Sequence, residues 1–170
     1  MECSLRIAEP KDAGLLSALG YASYLHHLGH LWQNPEELAE YLEQEFSHQS
    51  LRASLSSGQC CWLIASDPSP IGLVKVIWQS PMPIKECRCA CLDKLYLAPA
   101  ATGLGYGSLL FNAARTLASE RGECYLWLEV LEKNPRAHRF YLRAGMDYLT
   151  DTVWSTPSQR SKLHVLGMAL

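Results

Sequence analysis

An excess of positive charge is missing from this sequence. Its 15 lysines and arginines are outnumbered by 17 aspartates and glutamates, which gives a formal net charge of −2 at pH 7. Proteins that bind nucleic acid usually carry a basic face, so this balance gives no reason to expect a nucleic-acid partner. A slightly acidic protein mildly favours a cationic substrate instead.

The cysteines lack the spacing of a metal site or a redox motif. Their number, seven, is odd, and no Cys-x-x-Cys pair occurs among them. Cys87, Cys89 and Cys91 alternate, so a strand would place all three on one face. We expect reduced, packed thiols in a cytoplasmic protein, and no metal site.

Neither a secretory segment nor a membrane-spanning segment is expected from the sequence. The first residues, Met1 to Arg6, do not contain the apolar centre of a signal peptide. Residues 13–35 contain no Asp, Glu, Lys or Arg, but their histidines, glutamine and asparagine make them a poor membrane span. We therefore expect no membrane contact, and we expect residues 1–170 to form a single domain.

Hydrophobic residues recur at helical spacing in some segments and alternate as in strands in others, which predicts an α/β chain. Strands are predicted near residues 5–8, 60–66, 71–78, 86–97, 124–131, 148–154 and 163–170. Helices are predicted near residues 10–24, 36–46, 51–55, 109–118 and 135–144. A polar loop is expected between the last two strands, and a tight turn at residues 67–70 makes the second and third strands a hairpin.

The stretch from Leu92 to Tyr141 is the most informative part of the chain. An apolar run ends at Leu97, a loop of small residues follows at 100–107, and an amphipathic helix then begins. Such an arrangement forms an anion site, because glycines allow close backbone approach and the first helical turn has unpaired N–H groups. No Lys follows the glycines, which excludes a P-loop, and Ser108 stands where a dinucleotide fingerprint requires its third glycine.

A second unit of strand, turn and helix follows at residues 124–145. Asn134 and Pro135 are typical of a helix N-cap and first helical position, and Gly145 is typical of a helix end. The sequence Leu-Glu-Val precedes this turn, and Tyr141 lies within the helix.

Together the two units resemble the core of the GNAT superfamily of N-acetyltransferases, in the order and spacing of that family. Thr102-x-x-Gly105-x-Gly107 resembles its Gln/Arg-x-x-Gly-x-Gly/Ala signature, with Thr102 in place of the usual Gln or Arg. The resemblance implies a mixed, mostly antiparallel central sheet flanked by helices on both faces. It also implies acetyl-CoA as the cosubstrate.

The resemblance further implies which residues bind acetyl-CoA. The end of the central strand holds the pantetheine arm and acetyl group, the glycine loop cradles the pyrophosphate, and the start of the second helix reaches the arm. The matching residues are Leu95, Tyr96, Leu97, Thr102, Gly103, Leu104, Gly105, Tyr106, Gly107, Ser108, Asn134, Arg136, Ala137 and Tyr141. For Arg136 the alternative is a solvated charge at a helix start.

Two residues are implied as catalytic. Tyr141 is the candidate general acid for the departing thiolate, and its alternative is a core tyrosine with a satisfied hydroxyl. Glu129 is the candidate base by resemblance to ribosomal-protein alanine N-acetyltransferases, and its alternative is an exposed strand glutamate. Asp93, expected on the strand face of Leu95 and Leu97, is the runner-up, and a water relay could replace either carboxylate.

The resemblance implies that the acceptor is a primary amine, attacked directly in a ternary complex, and the identity of this amine stays open. Residues 36–48 and 127–141 also resemble bacterial spermidine/spermine N-acetyltransferases, whereas Glu129 resembles the branch that acetylates proteins. A polyamine, another small amine and a protein amine therefore all remain candidates. The candidates for an acceptor pocket are His26, His27, His30, Trp32, Tyr41 and Phe46, with surface or core positions as alternatives.

A different class of function also stays open. The domain could bind acetyl-CoA as a sensor or interaction module with little turnover, and Thr102 is the feature that favours this. Glu129, Asn134 and Tyr141 argue against it. The expected partner is the amine acceptor. A homodimer stays open as an alternative to a monomer.

Overall fold

Seven strands and five α-helices make up the computed structural model, which describes residues 2–84, 86 and 89–170. The strands are β1 (Ser4–Ile7), β2 (Cys60–Ser66), β3 (Pro70–Ile77), β4 (Cys89–Leu97), β5 (Tyr125–Leu131), β6 (Asp147–Ser155) and β7 (Arg160–Ala169). The helices are α1 (Ala13–Leu28), α2 (Pro35–Phe46), α3 (His48–Ser56), α4 (Tyr106–Glu120) and α5 (Pro135–Arg143). Within the described ranges, none of these helices is long and apolar enough to cross a membrane.

All seven strands join one sheet in the order β1-β2-β3-β4-β5-β7-β6. Every neighbouring pair is antiparallel except β4 and β5, which run parallel. The predicted hairpin is present as β2 and β3. The predicted fold class, a mixed and mostly antiparallel sheet with flanking helices, is confirmed.

Helices cover the sheet on both sides. On the face that we call the α1 face, Leu16 and Phe46 pack against Ile64 and Leu73 below helices α1, α2 and α3. On the opposite face, which we call the α4 face, Phe111 and other apolar side chains of α4 and α5 pack on the sheet. Burial of these two apolar layers against one sheet is the main stabilisation of such a fold.

The N-terminal end of α1 is fixed by an ion pair. Both guanidinium nitrogens Nη1 and Nη2 of Arg6 donate to the Asp12 carboxylate at 2.8 Å. The backbone N–H of Glu9 donates to the same carboxylate at 2.8 Å, so Asp12 also organises the turn before α1. The hydrogen bonds from Arg6, opposed by burial, lower the pKa of Asp12 to about 2.

Several element boundaries differ from the sequence prediction. Helix α1 runs one turn beyond residue 24, and α3 extends the predicted short turn to His48–Ser56. Strand β7 begins at Arg160 rather than 163, because pairing with β6 carries polar residues along the hairpin up to Ser155 opposite Arg160. Cys89 and Cys91 are buried together as predicted, whereas Cys87 lies outside the described residues.

Candidate active site

A fork between β4 and β5 opens the middle of the sheet. The two strands pair only at Cys89–Cys91 with Tyr125–Trp127 among the described residues. Beyond that point β4 continues along β3 as far as Leu97, and β5 continues along β7. No described strand therefore pairs with the edge of β4 that faces the fork, so its backbone groups are available to a ligand.

A cleft of about 860 Å³ occupies this fork and reaches both faces of the sheet. Thirteen of the predicted site residues line it: Leu95, Tyr96, Leu97, Thr102, Gly103, Gly105, Gly107, Ser108, Glu129, Asn134, Arg136, Ala137 and Tyr141. Leu104 and Tyr106 do not line it. The Leu104 side chain is 52% exposed, and the Tyr106 hydroxyl donates to Asp67 in the β2–β3 turn.

The glycine loop leads directly into helix α4. Gly105 is the N-cap residue, with φ of 86°, and Gly103 has φ of 79°, a backbone region that favours glycine. No side chain caps the helix, so the first N–H groups of α4 stay open at the cleft. The Thr102 hydroxyl donates to the Pro99 carbonyl at 3.3 Å and so closes the preceding turn.

Asn134 links α5 to the cleft. Its Oδ1 accepts from the backbone N–H of Ala137 at 3.4 Å, which confirms the predicted N-cap. Its Nδ2 has no hydrogen-bond partner among the residues that the structure describes, although the side chain lines the cleft. One amide can therefore cap the helix and still donate to a ligand.

Tyr141 reaches the cleft from the α4 face. Its ring contacts Phe111 and Phe140, with ring centroids 5.9 and 5.1 Å apart. Burial raises the pKa of Tyr141 above its ordinary value, so the phenol keeps its proton at neutral pH. Within the described part of the chain its hydroxyl has no hydrogen-bond partner, which argues against a core tyrosine with a satisfied hydroxyl.

Glu129 lies on the other side of the fork. Its strand neighbours Leu128 and Val130 are buried in the α4-face core, so the alternation of β5 turns Glu129 to the α1 face. The residue is exposed, and its carboxylate accepts a hydrogen bond from the Thr152 hydroxyl at 2.8 Å. Tyr141 and Glu129 thus approach the cleft from opposite faces of the sheet.

Asp93 corrects one expectation from the sequence. Lys75 pairs with Lys94 and Val76 pairs with Leu92, which leaves Asp93 as the extra residue of a β-bulge. The bulge breaks the alternation of β4, so Asp93 does not share the face of Leu95 and Leu97. Its carboxylate instead lies 3.1 Å from the ammonium of Lys94 and 3.5 Å from that of Lys75.

The ion pairs of Asp93 determine its protonation. Burial raises its pKa, but the charges of Lys94 and Lys75 together outweigh that effect and hold the pKa below its ordinary value. The Lys94 side chain is only 2% exposed, and its ammonium also lies 3.3 Å from Glu45 on α2. Apart from a lysine within an apolar strand, no sequence pattern indicated this Lys94–Glu45 pair.

Five aromatic side chains gather at the α1-face end of the cleft: Tyr24, Trp32, Tyr41, Tyr96 and Trp154. Their neighbouring ring centroids lie 5.0–5.9 Å apart. Four of the five line the cleft: Tyr24, Tyr41, Tyr96 and Trp154, the last of which sequence reasoning had placed only in a strand. Trp32, a candidate for the acceptor pocket, does not line the cleft. Phe46, in contrast, is fully buried core.

His27 is the histidine that reaches the cleft. Its Nε2 lies 2.9 Å from the carbonyl oxygen of Leu97 at the end of β4. A carbonyl can only accept, so Nε2 carries the proton and donates it. His26 and His30 are exposed, and the described residues contain no cluster of three potential metal ligands.

Comparison with known proteins identifies the family. The acetyltransferase (GNAT) family model matches residues 25–146, so the chain belongs to this family. An uncharacterized N-acetyltransferase of Mycobacterium tuberculosis is 29% identical over 112 residues, 65% of this chain and 68% of the relative. The predicted family and enzyme class, an N-acetyltransferase, are confirmed.

Solved structures agree on the fold. The PaiA N-acetyltransferase of Thermoplasma acidophilum, in complex with coenzyme A, superposes with a TM-score of 0.77 at 18% identity over 100% of both chains. Mutant forms of the spermidine/spermine N-acetyltransferase SpeG of Vibrio cholerae superpose with a TM-score of 0.68 at 20% identity, covering 99% of this chain and 95% of that one.

Proposed function

We propose that this chain transfers the acetyl group of acetyl-CoA to a primary amine by direct attack in a ternary complex. The observation that carries the proposal is the fork, which connects a phosphate-type cradle on the α4 face with a carboxylate on the α1 face. A donor can enter from one face and an acceptor from the other, so both substrates can meet without a covalent enzyme intermediate.

The donor would lie along the α4 face. The uncapped N–H groups of residues 106–108 and the positive end of the α4 dipole suit the pyrophosphate. The unpaired edge of β4 at Leu95–Leu97 suits the pantetheine amides and the thioester carbonyl, and Asn134 suits the arm. In this arrangement the binding of acetyl-CoA depends on backbone groups. A threonine at position 102, in place of the usual Gln or Arg, is therefore compatible with acetyl-CoA binding.

The chemistry needs one base and one acid. The neutral amine nitrogen attacks the thioester carbon, the oxyanion forms against backbone N–H groups of β4, and the C–S bond then breaks. Glu129 takes the proton of the ammonium before the attack, directly or through water, and the leaving thiolate takes the proton of the Tyr141 hydroxyl. The second proton, released by the nitrogen as the amide forms, passes through water to the Tyr141 phenolate and restores it. The proton of the ammonium is therefore transferred on the α1 face, where the acceptor enters. The proton for the thiolate is transferred on the α4 face, where the donor enters.

Glu129 is the better base of the two carboxylates. Asp93 is ion-paired with Lys94 and Lys75, which both lie within 3.5 Å of its Oδ2 and lower its pKa. Glu129 accepts only the Thr152 hydroxyl among the described residues and is exposed to the cleft. We assign Asp93 to the support of Lys94 rather than to proton transfer.

A thiol-release assay with acetyl-CoA and a panel of primary amines tests this proposal. Amine-dependent release of CoA, with the acetylated amine identified by mass spectrometry, is the expected result. Tight acetyl-CoA binding without release for any amine would favour the sensor alternative instead. A single domain over residues 1–170, a cytoplasmic location and a homodimer remain predictions.

A further inference from the structure

The α1-face end of the cleft is lined mainly by aromatic side chains. We propose that it is an acceptor chamber for a small primary amine with an aromatic body and one positive charge, an arylalkylamine, rather than a polyamine or a protein N-terminus. This inference rests on the proposed acetyl transfer and adds the class of acceptor. The chamber is lined by Tyr24, Tyr41, Tyr96 and Trp154, and Trp32 packs against Tyr41 and Trp154.

The rings of this cluster meet one another mostly edge to face. The Trp32 indole N–H donates to the Tyr24 hydroxyl at 3.0 Å. Burial raises the pKa of the Tyr41 hydroxyl above its ordinary value. Trp154 meets Trp32 and Tyr41 edge to face. A flat apolar ring can continue this edge-to-face pattern, and such contacts add to the effect of burial.

The charges of the chamber favour a single ammonium group. Three carboxylates line the cleft, those of Glu45, Asp93 and Glu129. Glu45 and Asp93 are ion-paired with Lys94, and Asp93 also with Lys75. Among the lining carboxylates only Glu129 has no lysine partner in the described part of the chain, and it lies where the reacting amine must sit. A second or third ammonium of a polyamine would therefore have no free carboxylate to meet.

A bridge of hydrogen bonds limits the size of the acceptor. We call it the strap: residues 31–37 before and within α2 are joined to the β6–β7 turn, residues 156–159. Glu37 accepts from the Thr156 hydroxyl at 3.0 Å and from the Ser158 N–H at 3.1 Å.

Three further bonds complete the strap. Gln159 accepts from the Gln33 N–H at 2.8 Å and donates to the Leu31 carbonyl at 3.4 Å, and Asn34 donates to Ser158 at 3.3 Å. The strap ties together the two segments that carry Trp32 and Trp154. The N-terminal segment of a protein acceptor would have to pass between them, whereas a short amine would not.

Substrate preference tests the chamber. Thiol release would be measured with 2-phenylethylamine, n-hexylamine, spermidine and an alanine-initiated tetrapeptide, with kcat/KM expressed per neutral amine. We expect 2-phenylethylamine to exceed the other three by about tenfold or more. A higher kcat/KM for spermidine, the tetrapeptide or hexylamine would overturn the chamber and leave the acetyl transfer standing. No release with any amine would overturn both proposals.

A variant of the chamber tests its residues directly. Trp154→Ala should raise the KM for 2-phenylethylamine about ten- to hundredfold and change that for n-hexylamine much less. Tyr148→Ala is the matched control, because this aromatic residue is on the same strand, is 52% exposed and does not line the cleft.

Should Trp154→Ala fail to fold, Trp154→Leu fills much of the space without an aromatic face and carries the same expectation. Equal losses for the aromatic and the aliphatic amine in the variant that folds would contradict the chamber. Unchanged kinetics for both amines would contradict it as well.

Discussion

The two faces of the cleft are built in different ways. On the α4 face, the glycine loop and the Asn134 cap follow each other along short stretches of the chain and expose backbone N–H groups. On the α1 face, rings from α1, α2, β4 and β6 meet although residues such as Tyr24 and Trp154 are far apart in sequence. The first face suits a ligand common to a whole family, and the second suits a ligand particular to one member.

This difference follows from the chemistry of recognition. Backbone groups can bind phosphate and amide groups with little dependence on side chains, so only glycines and caps must be specified. Discrimination among amines needs side chains of defined shape and charge, which tertiary packing alone brings together. We therefore expect substitutions on the α4 face to affect the donor, and those on the α1 face to affect the acceptor.

The largest expected effect is that of Tyr141→Phe. The ring and its packing remain, so the fold and the affinity for acetyl-CoA should change little. Turnover should fall by about 10²- to 10⁴-fold, because the hydroxyl acts as negative charge develops on sulfur. Turnover, acetyl-CoA affinity and melting temperature would be measured on the same variant.

The pH profile sharpens the test of Tyr141. Because burial raises the pKa of Tyr141 above its ordinary value of 10.0, the wild-type enzyme should lose no activity through this group up to that pH. Near-normal turnover of Tyr141→Phe, combined with a lower melting temperature, would assign the residue to packing instead.

Glu129→Gln should give the next largest effect. At neutral pH the amine is mostly protonated, so loss of the base should lower turnover by about 10²-fold. The loss should shrink as the pH approaches the pKa of the amine. Glu132→Gln, in the exposed turn after β5, is the control and should leave turnover unchanged. A loss of equal size at every pH would indicate positioning of the acceptor rather than proton transfer.

Gly105→Ala should weaken acetyl-CoA binding by about tenfold or more, as phosphate contacts to the loop are lost. Its matched control is Gly58→Ala, between α3 and β2, where φ is also positive at 71° and no atom lies within 4 Å of the added Cβ. Both substitutions carry the same backbone strain of about 1–2 kcal/mol. Calorimetry should separate them, since only Gly105→Ala should change affinity; equal affinities would mean that the loop does not cradle the pyrophosphate.

The smallest effect is expected away from both faces, at Asp12→Asn. The amide keeps an acceptor for the Glu9 N–H but loses the ion pair with half-exposed Arg6, a change worth about 1 kcal/mol of unfolding free energy. Because the pKa of Asp12 is lowered from 3.8 to about 2, this stabilisation is complete above the higher value and disappears as pH falls toward the lower one. Denaturant titrations of both proteins across that range should converge at the acid end, and a constant difference would refute the ion pair as its cause.

Sequence reasoning succeeded where the signal is local. The helix cap at Asn134, the glycine loop before α4 and the helix end at Gly145 each depend on a few adjacent residues, and the structure contains all three. The family's spacing also brought Tyr141 and Glu129 to one cleft.

It failed where tertiary structure decides. A bulge moved Asp93 off the face of Leu95, and nothing in a linear pattern of alternation indicates a bulge. Trp154 was not recognised as a site residue because its aromatic partners, for example Tyr41, come from distant elements. The strap was missed for the same reason, since Glu37 bonds to residues more than 100 positions away.

The structure of the protein bound to a conjugate of 2-phenylethylamine and CoA, joined through an acetyl bridge, tests the central claim most directly. The account predicts the pyrophosphate on the N–H groups of residues 106–108, the sulfur in the fork within hydrogen-bonding distance of the Tyr141 hydroxyl, and the phenyl ring packed against Tyr41 and Trp154 on the α1-face side of the cleft. A conjugate bound with both of its ends on the α4 face, or with its sulfur outside the fork, would contradict it.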